Sequence, residues 1–223
     1  MERVRIVHYS DLLCVWAYVA QVRIDELLQN FPDRVELEYR WFHVFGNVPG
    51  KMAAAWKDRG GIAGYSQHVK SVVDQFGHVT LHPEVWVRDT PQSSMPGHLM
   101  LCAVRLLESG GTVPAGTLAR TAWALRLAFF RDGADISSRM VLGRVAEEAG
   151  LPTRELGRLL DAGAAHAALA EDLELARQQM IQASPTLVFN EGRQRLTGNV
   201  GYRIIEANIR ELLEGVPGQQ SWC

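Results

Sequence analysis

Ser10-Asp11-Leu12-Leu13-Cys14-Val15-Trp16-Ala17-Tyr18 follows directly on the apolar run Val4 to Tyr9. The stretch from Arg3 to Tyr9 is rich in Val and Ile and too short for a helix, so it reads as a strand. Beyond Cys14 the period changes. Ile24, Leu27, Leu28 and Phe31 have the spacing of one buried helical face, and Pro32 stops the helix. A strand, an acidic turn, a cysteine and then a helix put a sulfur at a helix N-terminus. Unpaired N–H groups and the helix dipole there favour thiolate over thiol, and the thiolate is the reactive species. The expectation is a Cys14 pKa below the ordinary value of about 8.5. The competing reading is a small buried hydrophobe at a strand–helix junction, a common fate of free cysteine. Asp11 does not help ionisation, since a nearby carboxylate raises a thiol pKa; it reads as a turn or cap residue.

Outward from this stretch, Val35 to Phe42 is the next strand, with Val35, Leu37, Tyr39 and Trp41 alternating against Glu36, Glu38 and Arg40. The β-α-β unit so formed predicts parallel strands with a right-handed crossover. From Gly46 to Thr90 the text is irregular, with one amphipathic helix near Tyr65 to Phe76. Helical stripes follow: Leu99 to Leu107, Leu118 to Phe129, Val141 to Ala149 and Leu156 to Leu160, separated by Gly110-Gly111, Gly133 and Gly150. A further helix runs from about Ala164 to Gln182. Strand text returns at Thr186 to Phe189 and Arg193 to Thr197, read as a hairpin around Asn190-Glu191-Gly192. A last helix covers Tyr202 to Leu213, and Pro217 to Cys223 is a polar tail.

Strands at both ends and helices between them give an α/β domain from residues 1–45 and 164–215, an all-helical insertion over 46–163, and a tail at 216–223. The 223 residues suit one such domain. A net charge of −2 with no basic stripe argues against nucleic acid as partner. No apolar run is long enough for a membrane span, and the N-terminus has no apolar leader. Cys14, Cys102 and Cys223 are too few and too scattered for a disulfide framework. The expected compartment is the cytoplasm.

His8 lies in the first strand and His43 just after the second, where parallel pairing brings them near Cys14. That placement would permit a Cys–His pair or a metal site, but no His-x-x-His or Cys-x-x-Cys spacing supports metal, and none is expected. The aromatics Trp56, Tyr65, Phe76 and Trp86 read either as ordinary packing or as the wall of a substrate cleft. Thr197-Gly198-Asn199 reads as a turn and N-cap.

Four segments together resemble the DsbA family of thioredoxin-fold proteins: Ser10-Asp11-x-x-Cys14-x-Trp16-x-Tyr18; Ala124-Leu125-x-x-Ala128-Phe129-Phe130-x-x-Gly133-x-Asp135-Ile136-Ser137; Ala183-Ser184-Pro185-Thr186-Leu187-Val188; and Leu196-x-Gly198. The likeness is greatest to the FrnE-like branch, related to 2-hydroxychromene-2-carboxylate isomerase and the kappa-class glutathione transferases. It implies a thioredoxin-like domain with a long helical insertion. It also implies a cis Ser184–Pro185 bond opposite Cys14. Redox-active members carry Cys-Pro-Trp-Cys where this chain has Cys14-Val15-Trp16-Ala17, and the isomerase and kappa branches carry serine where Cys14 stands.

A dithiol oxidase needs a second sulfur, and Ala17 supplies none. The resemblance then implies a monothiol thiol–disulfide oxidoreductase. Cys14 is its nucleophile, and Trp16, Ser184, Pro185 and Thr186 bind a peptide or small-molecule thiol or disulfide. Glutathione serves as cosubstrate rather than bound cofactor, and a homodimer is compatible with it. The alternatives are a glutathione-dependent isomerase or transferase for a small aromatic or electrophilic substrate, and a non-catalytic binding protein. Cys102 sits on an apolar stripe and reads as inert core. Cys223 ends the tail and is a candidate resolving thiol.

Overall fold

The computed structural model describes residues 3–214. Strand β1 (Val4–Ser10) pairs in parallel with β2 (Val35–Trp41), in register from Val4 opposite Val35 to Ser10 opposite Trp41. Helix α1 (Val15–Asn30) makes the crossover between them. Strands β3 (Thr186–Phe189) and β4 (Gln194–Thr197) return antiparallel, giving the order β2-β1-β3-β4. The α/β reading and the parallel first pair hold. The hairpin turn is a 3₁₀ turn over Asn190–Gly192, with Asn190 and Glu191 both at positive φ.

Between β2 and β3 the chain is helical. The irregular stretch contains more helix than its pattern suggests: α2 (Val48–Lys51), a π turn (Met52–Trp56) and a 3₁₀ turn (Lys57–Arg59) precede α3 (Gly61–Val73). Then come α4 (Met95–Ser109), α5 (Thr117–Phe130), α6 (Arg139–Glu148), α7 (Thr153–Asp161) and α8 (Ala164–Gln178). Helix α8 stops earlier than its apolar period, because Met180 turns to φ 52° and Ile181 N–H closes on Ala176 C=O at 2.8 Å. That is a C-terminal cap built without glycine, so no sequence signal marks it. Helix α9 (Tyr202–Glu214) completes the described chain.

The sheet is covered on both faces. On one, Val4, Ile6, Leu187 and Phe189 meet Ile24 and Leu27 of α1 and Ile205 and Ile209 of α9. On the other, Tyr9 and Val188 meet Ala176 of α8 and Ile181 just beyond it. Burial of each large aliphatic side chain is worth about 1.5–3 kcal/mol. The insertion builds the largest core, and the buried start of α1, from Leu12 to Val19, is part of it.

A buried ion cluster ties the insertion to the sheet. Asp172 of α8 is fully buried. It accepts both guanidinium nitrogens of Arg105 at 2.9 Å, Arg40 Nη1 at 2.8 Å and the Trp41 N–H at 3.1 Å. Arg105 also donates to the Tyr39 carbonyl at 2.9 Å. Tyr39 C=O and Trp41 N–H lie on the outer edge of β2, so side chains from α4 and α8 occupy hydrogen-bonding positions on that edge.

Candidate active site around Cys14

Cys14 is the residue before α1, with extended backbone angles (φ −81°, ψ 115°) and no side-chain cap. The Tyr18 N–H donates to the Cys14 carbonyl at 3.1 Å, the first bond of the helix. The thiol sits where the sequence places it, at a helix N-terminus, but it is 6% exposed. Its S–H donates to the Ser184 carbonyl at 3.1 Å. The Ser184–Pro185 peptide is cis, as expected, and Ser184, Pro185 and Thr186 are all buried beside Cys14 and the sheet. Trp16 is half-buried on the first turn of α1.

The electrostatics reverse the first expectation. Burial, the largest influence, pushes the Cys14 thiol above its ordinary value, and the charge of Asp11 adds to this. Hydrogen bonding from Ser184 and from the Ala17 and Trp16 N–H groups works the other way without overcoming it. A helix N-terminus favours the thiolate, but desolvation of a buried charge outweighs it here.

The loop before Cys14 is held by Asp11, which is fully buried. One carboxylate oxygen accepts the Leu13 N–H at 2.8 Å. The other accepts the Phe45 N–H and the Ser94 hydroxyl, both at 2.8 Å. The Asp11 N–H donates to Ser184 Oγ at 3.0 Å. The turn role assigned to Asp11 therefore holds, and it extends to a join between four chain segments, around Asp11, Phe45, Ser94 and Ser184. His98 of α4 accepts the Leu12 N–H at Nε2 (3.2 Å) while its ring stacks on Trp41; with Nε2 as acceptor its proton is on Nδ1. Gly97 lets α4 come this close: a Cβ there would lie 2.7 Å from Leu12 Cδ1.

Ser94, His98 and Phe45 are site-building residues that sequence reasoning does not single out. His98 lies in a stretch of histidines without pattern. Arg126 of α5 is a fourth. It flanks the Leu118–Phe129 stripe, where an arginine reads as the edge of a solvated face. It is fully buried, with Nη2 donating to Ser10 Oγ at 2.9 Å and Nη1 to Gln21 Oε1 at 3.3 Å.

His8 is buried against the Tyr39 ring, and neither ring nitrogen has a partner among the described residues. Burial first, and the charge of Arg126 second, push its pKa down to about 3. His43 is exposed. No group of three or more potential metal ligands occurs among the described residues. Cys102 is fully buried beside Asp172 and Arg105, and burial pushes it up to about 12. Cys223, the candidate resolving thiol, lies outside the described residues. Tyr65 does face the Cys14 region: its phenol is pushed well above the ordinary value by burial and then by the charges of Cys14 and Asp11. Its ring belongs to an aromatic group with Phe45, Trp56 and Trp86.

Solved structures share this fold across nearly the whole chain. One described as a probable DsbA oxidoreductase from Streptomyces coelicolor is 19% identical, with a TM-score of 0.73, covering 98% of this chain and 93% of that one. The cytosolic disulfide reductase DsbM from Pseudomonas aeruginosa, also solved with GSH, is 17% identical, with a TM-score of 0.66, covering 95% and 97%. A 2-hydroxychromene-2-carboxylate isomerase is 14% identical, with a TM-score of 0.64, covering 95% and 97%. These likenesses establish a thioredoxin-like fold with a helical insertion. No curated protein sequence matches the chain. The model of the DSBA-like thioredoxin domain matches residues 5–210, and the chain belongs to that family.

Proposed function

We propose that this member of the DSBA-like family is a thiol–disulfide oxidoreductase working through the single sulfur of Cys14, with glutathione as the resolving thiol. The observation that carries this reading is the Cys14 thiol at the N-terminus of α1, 3.1 Å from the carbonyl that precedes a cis proline. The Cys14 thiolate attacks one sulfur of a disulfide R–S–S–R′, forming Cys14–S–S–R and releasing R′S⁻. A glutathione thiolate then attacks the R sulfur of that bond, giving G–S–S–R and restoring the Cys14 thiolate. A second glutathione thiolate attacking G–S–S–R releases RS⁻ and leaves G–S–S–G, which completes the two-electron reduction of the substrate disulfide, and no second protein sulfur is needed. Ser184, Pro185 and Thr186 present backbone beside the reacting sulfur, and Trp16 shapes the approach. The FrnE-like branch and a cytoplasmic setting fit this chemistry, and a DsbM neighbour solved with GSH supports the choice of resolving thiol.

The second reading is a glutathione-dependent isomerase or transferase. The fold shared with a 2-hydroxychromene-2-carboxylate isomerase supports it, whereas the rings of Phe45, Tyr65 and Trp86 are buried core, with Trp56 packed against them. Incubation with oxidised glutathione separates the readings. The first requires one glutathione adduct at Cys14, removed by excess reduced glutathione and absent in Cys14→Ser. Turnover of an aromatic electrophile without disulfide exchange would favour the second. Neither adduct nor turnover would leave a binding protein.

A further inference from the structure

We infer that His98 is a positioning residue for Cys14: as the Nδ1–H tautomer it holds the Leu12 amide, and through it the loop that sets the thiol against Ser184. The inference rests on Cys14 being the reactive thiol. Each backbone N–H of that loop has an acceptor. Asp11 N–H donates to Ser184 Oγ at 3.0 Å and Leu12 N–H to His98 Nε2 at 3.2 Å. Leu13 N–H donates to the Asp11 carboxylate at 2.8 Å and Cys14 N–H to the Asp11 carbonyl at 3.2 Å. Two of these acceptors belong to Asp11 itself, and one to Ser184, whose carbonyl also accepts the Cys14 thiol. His98 is the acceptor that the helical insertion supplies. Ser94, four residues earlier on the same face of α4, donates to Asp11 Oδ2 at 2.8 Å, so one helix face grips two successive loop residues.

The bond to Leu12 decides the state of the ring. His98 is 0% exposed, and its Nδ1 has no partner among the described residues. Its Nε2 lies 3.8 Å from Asp11 Oδ1, too far for a hydrogen bond. Nδ1 is therefore unpaired in either neutral tautomer. A proton on Nε2 would in addition set two donors face to face and leave the buried Leu12 N–H unpaired, a further cost of about 1–3 kcal/mol. Burial lowers the His98 pKa, with Asp11 opposing it, which agrees with a neutral ring accepting at Nε2. The position of the loop matters for disulfide exchange because the Cys14 sulfur must meet its partner beside the Ser184 carbonyl. A misplacement of about 1 Å can cost on the order of a hundredfold in rate. A small alkylating reagent needs no docking on that carbonyl and is indifferent to such a shift.

The test compares wild type with His98→Gln, whose side-chain carbonyl keeps an acceptor, and His98→Leu, which has none. Both lose the ring stacked on Trp41, so the difference between them isolates the bond to Leu12. Reaction of Cys14 with oxidised glutathione and with iodoacetamide is read at the Cys14 peptide by mass spectrometry. The glutathione rate should fall about tenfold in His98→Leu and stay within about twofold of wild type in His98→Gln. The iodoacetamide rates of all three should stay together. Hydrogen exchange at the Leu12 amide should quicken in His98→Leu alone. In wild type, imidazole nitrogen NMR shifts should show Nδ1 protonated and Nε2 bare. Equal glutathione rates in the two variants overturn the inference. So does equal slowing of both reagents in His98→Leu, which would mean a general loss of thiol access or ionisation. Should His98→Leu fail to fold, a proton on Nε2 in wild type, or a His98→Gln slowed about tenfold, overturns it as well. A wild-type Cys14 that forms no adduct with oxidised glutathione removes the proposed function itself; a reactive Cys14 indifferent to residue 98 removes only this inference.

Discussion

The Cys14 sulfur donates its hydrogen bond to the Ser184 carbonyl oxygen 3.1 Å away, so the thiol, not the thiolate, is the form that contact favours. Ionisation removes the donor and sets a negative sulfur against a carbonyl. Burial, the largest influence, and the charge of Asp11 hold the folded pKa above the ordinary value. Alkylation of Cys14 should therefore have its midpoint above about 8.5. The linked stability has a definite sign. The folded pKa is raised, so the contribution is present below the unfolded pKa and is lost as pH rises through the folded one. A midpoint below the free-cysteine value would mean that the helix N-terminus dominates after all.

The Asp172 cluster predicts a large stability effect far from Cys14. Replacing Asp172 with Asn leaves Arg40 and Arg105 facing a neutral amide in the space where they met a carboxylate. Breaking one partner of a buried ion group costs about 3–5 kcal/mol. The denaturant midpoint should fall accordingly, with Cys102 becoming accessible to thiol reagents. Loss of the exposed Arg131–Asp132 pair by Asp132→Asn should change little by comparison. Equal effects from the two substitutions would show that the cluster does not anchor β2.

What is legible in the sequence is what has a period or a special residue. The alternation in β1 and β2 and the 3.6-residue stripes of the helices follow from which faces are buried, and that is written in single residues. Ser184–Pro185 is marked by its proline, and Cys14 by its place after a strand. Ser94, His98, Phe45 and Arg126 are not legible, because each acts through a partner distant in the chain. Leu12 and His98 are 86 positions apart, and Ser10 and Arg126 are 116 apart. The sign of the Cys14 shift escapes the sequence for a related reason. The helix terminus is a local feature, whereas burial depends on the insertion that covers it.

His8 should be the main acid-sensitive group of the sheet interior. Its folded pKa is lowered to about 3, first by burial and then by Arg126, against about 6.5 when unfolded. For a base with a depressed folded pKa, the stability is present above the unfolded value and is lost as pH falls towards the folded one. The difference is on the order of 5 kcal/mol when fully expressed. His8→Phe keeps an aromatic ring against Tyr39 and removes the titration. Its stability should decline less than that of wild type between about pH 6.5 and about pH 3. Parallel declines in the two proteins would mean that His8 is hydrated or partnered in solution.

Ala17→Cys should convert the monothiol site to a dithiol. Residue 17 lies one helical turn beyond Cys14, and both are buried at the start of α1. In the fully reduced variant, the Cys14 thiol would lie beside a second thiol able to attack a mixed disulfide at Cys14. That attack releases the substrate thiol and leaves an internal disulfide between Cys14 and the introduced sulfur, so resolution no longer waits for glutathione. Ala17 is only 1% exposed, and the extra sulfur should destabilise the reduced protein by about 1–3 kcal/mol through overpacking. The expected outcome is loss of two free thiols on oxidation and disulfide exchange that continues without glutathione when a dithiol reductant is supplied. If the oxidised variant keeps both thiols, the two sulfurs do not meet. The first turn of α1 then does not have the geometry assigned to it, and the single-sulfur route would reflect the backbone rather than the missing cysteine.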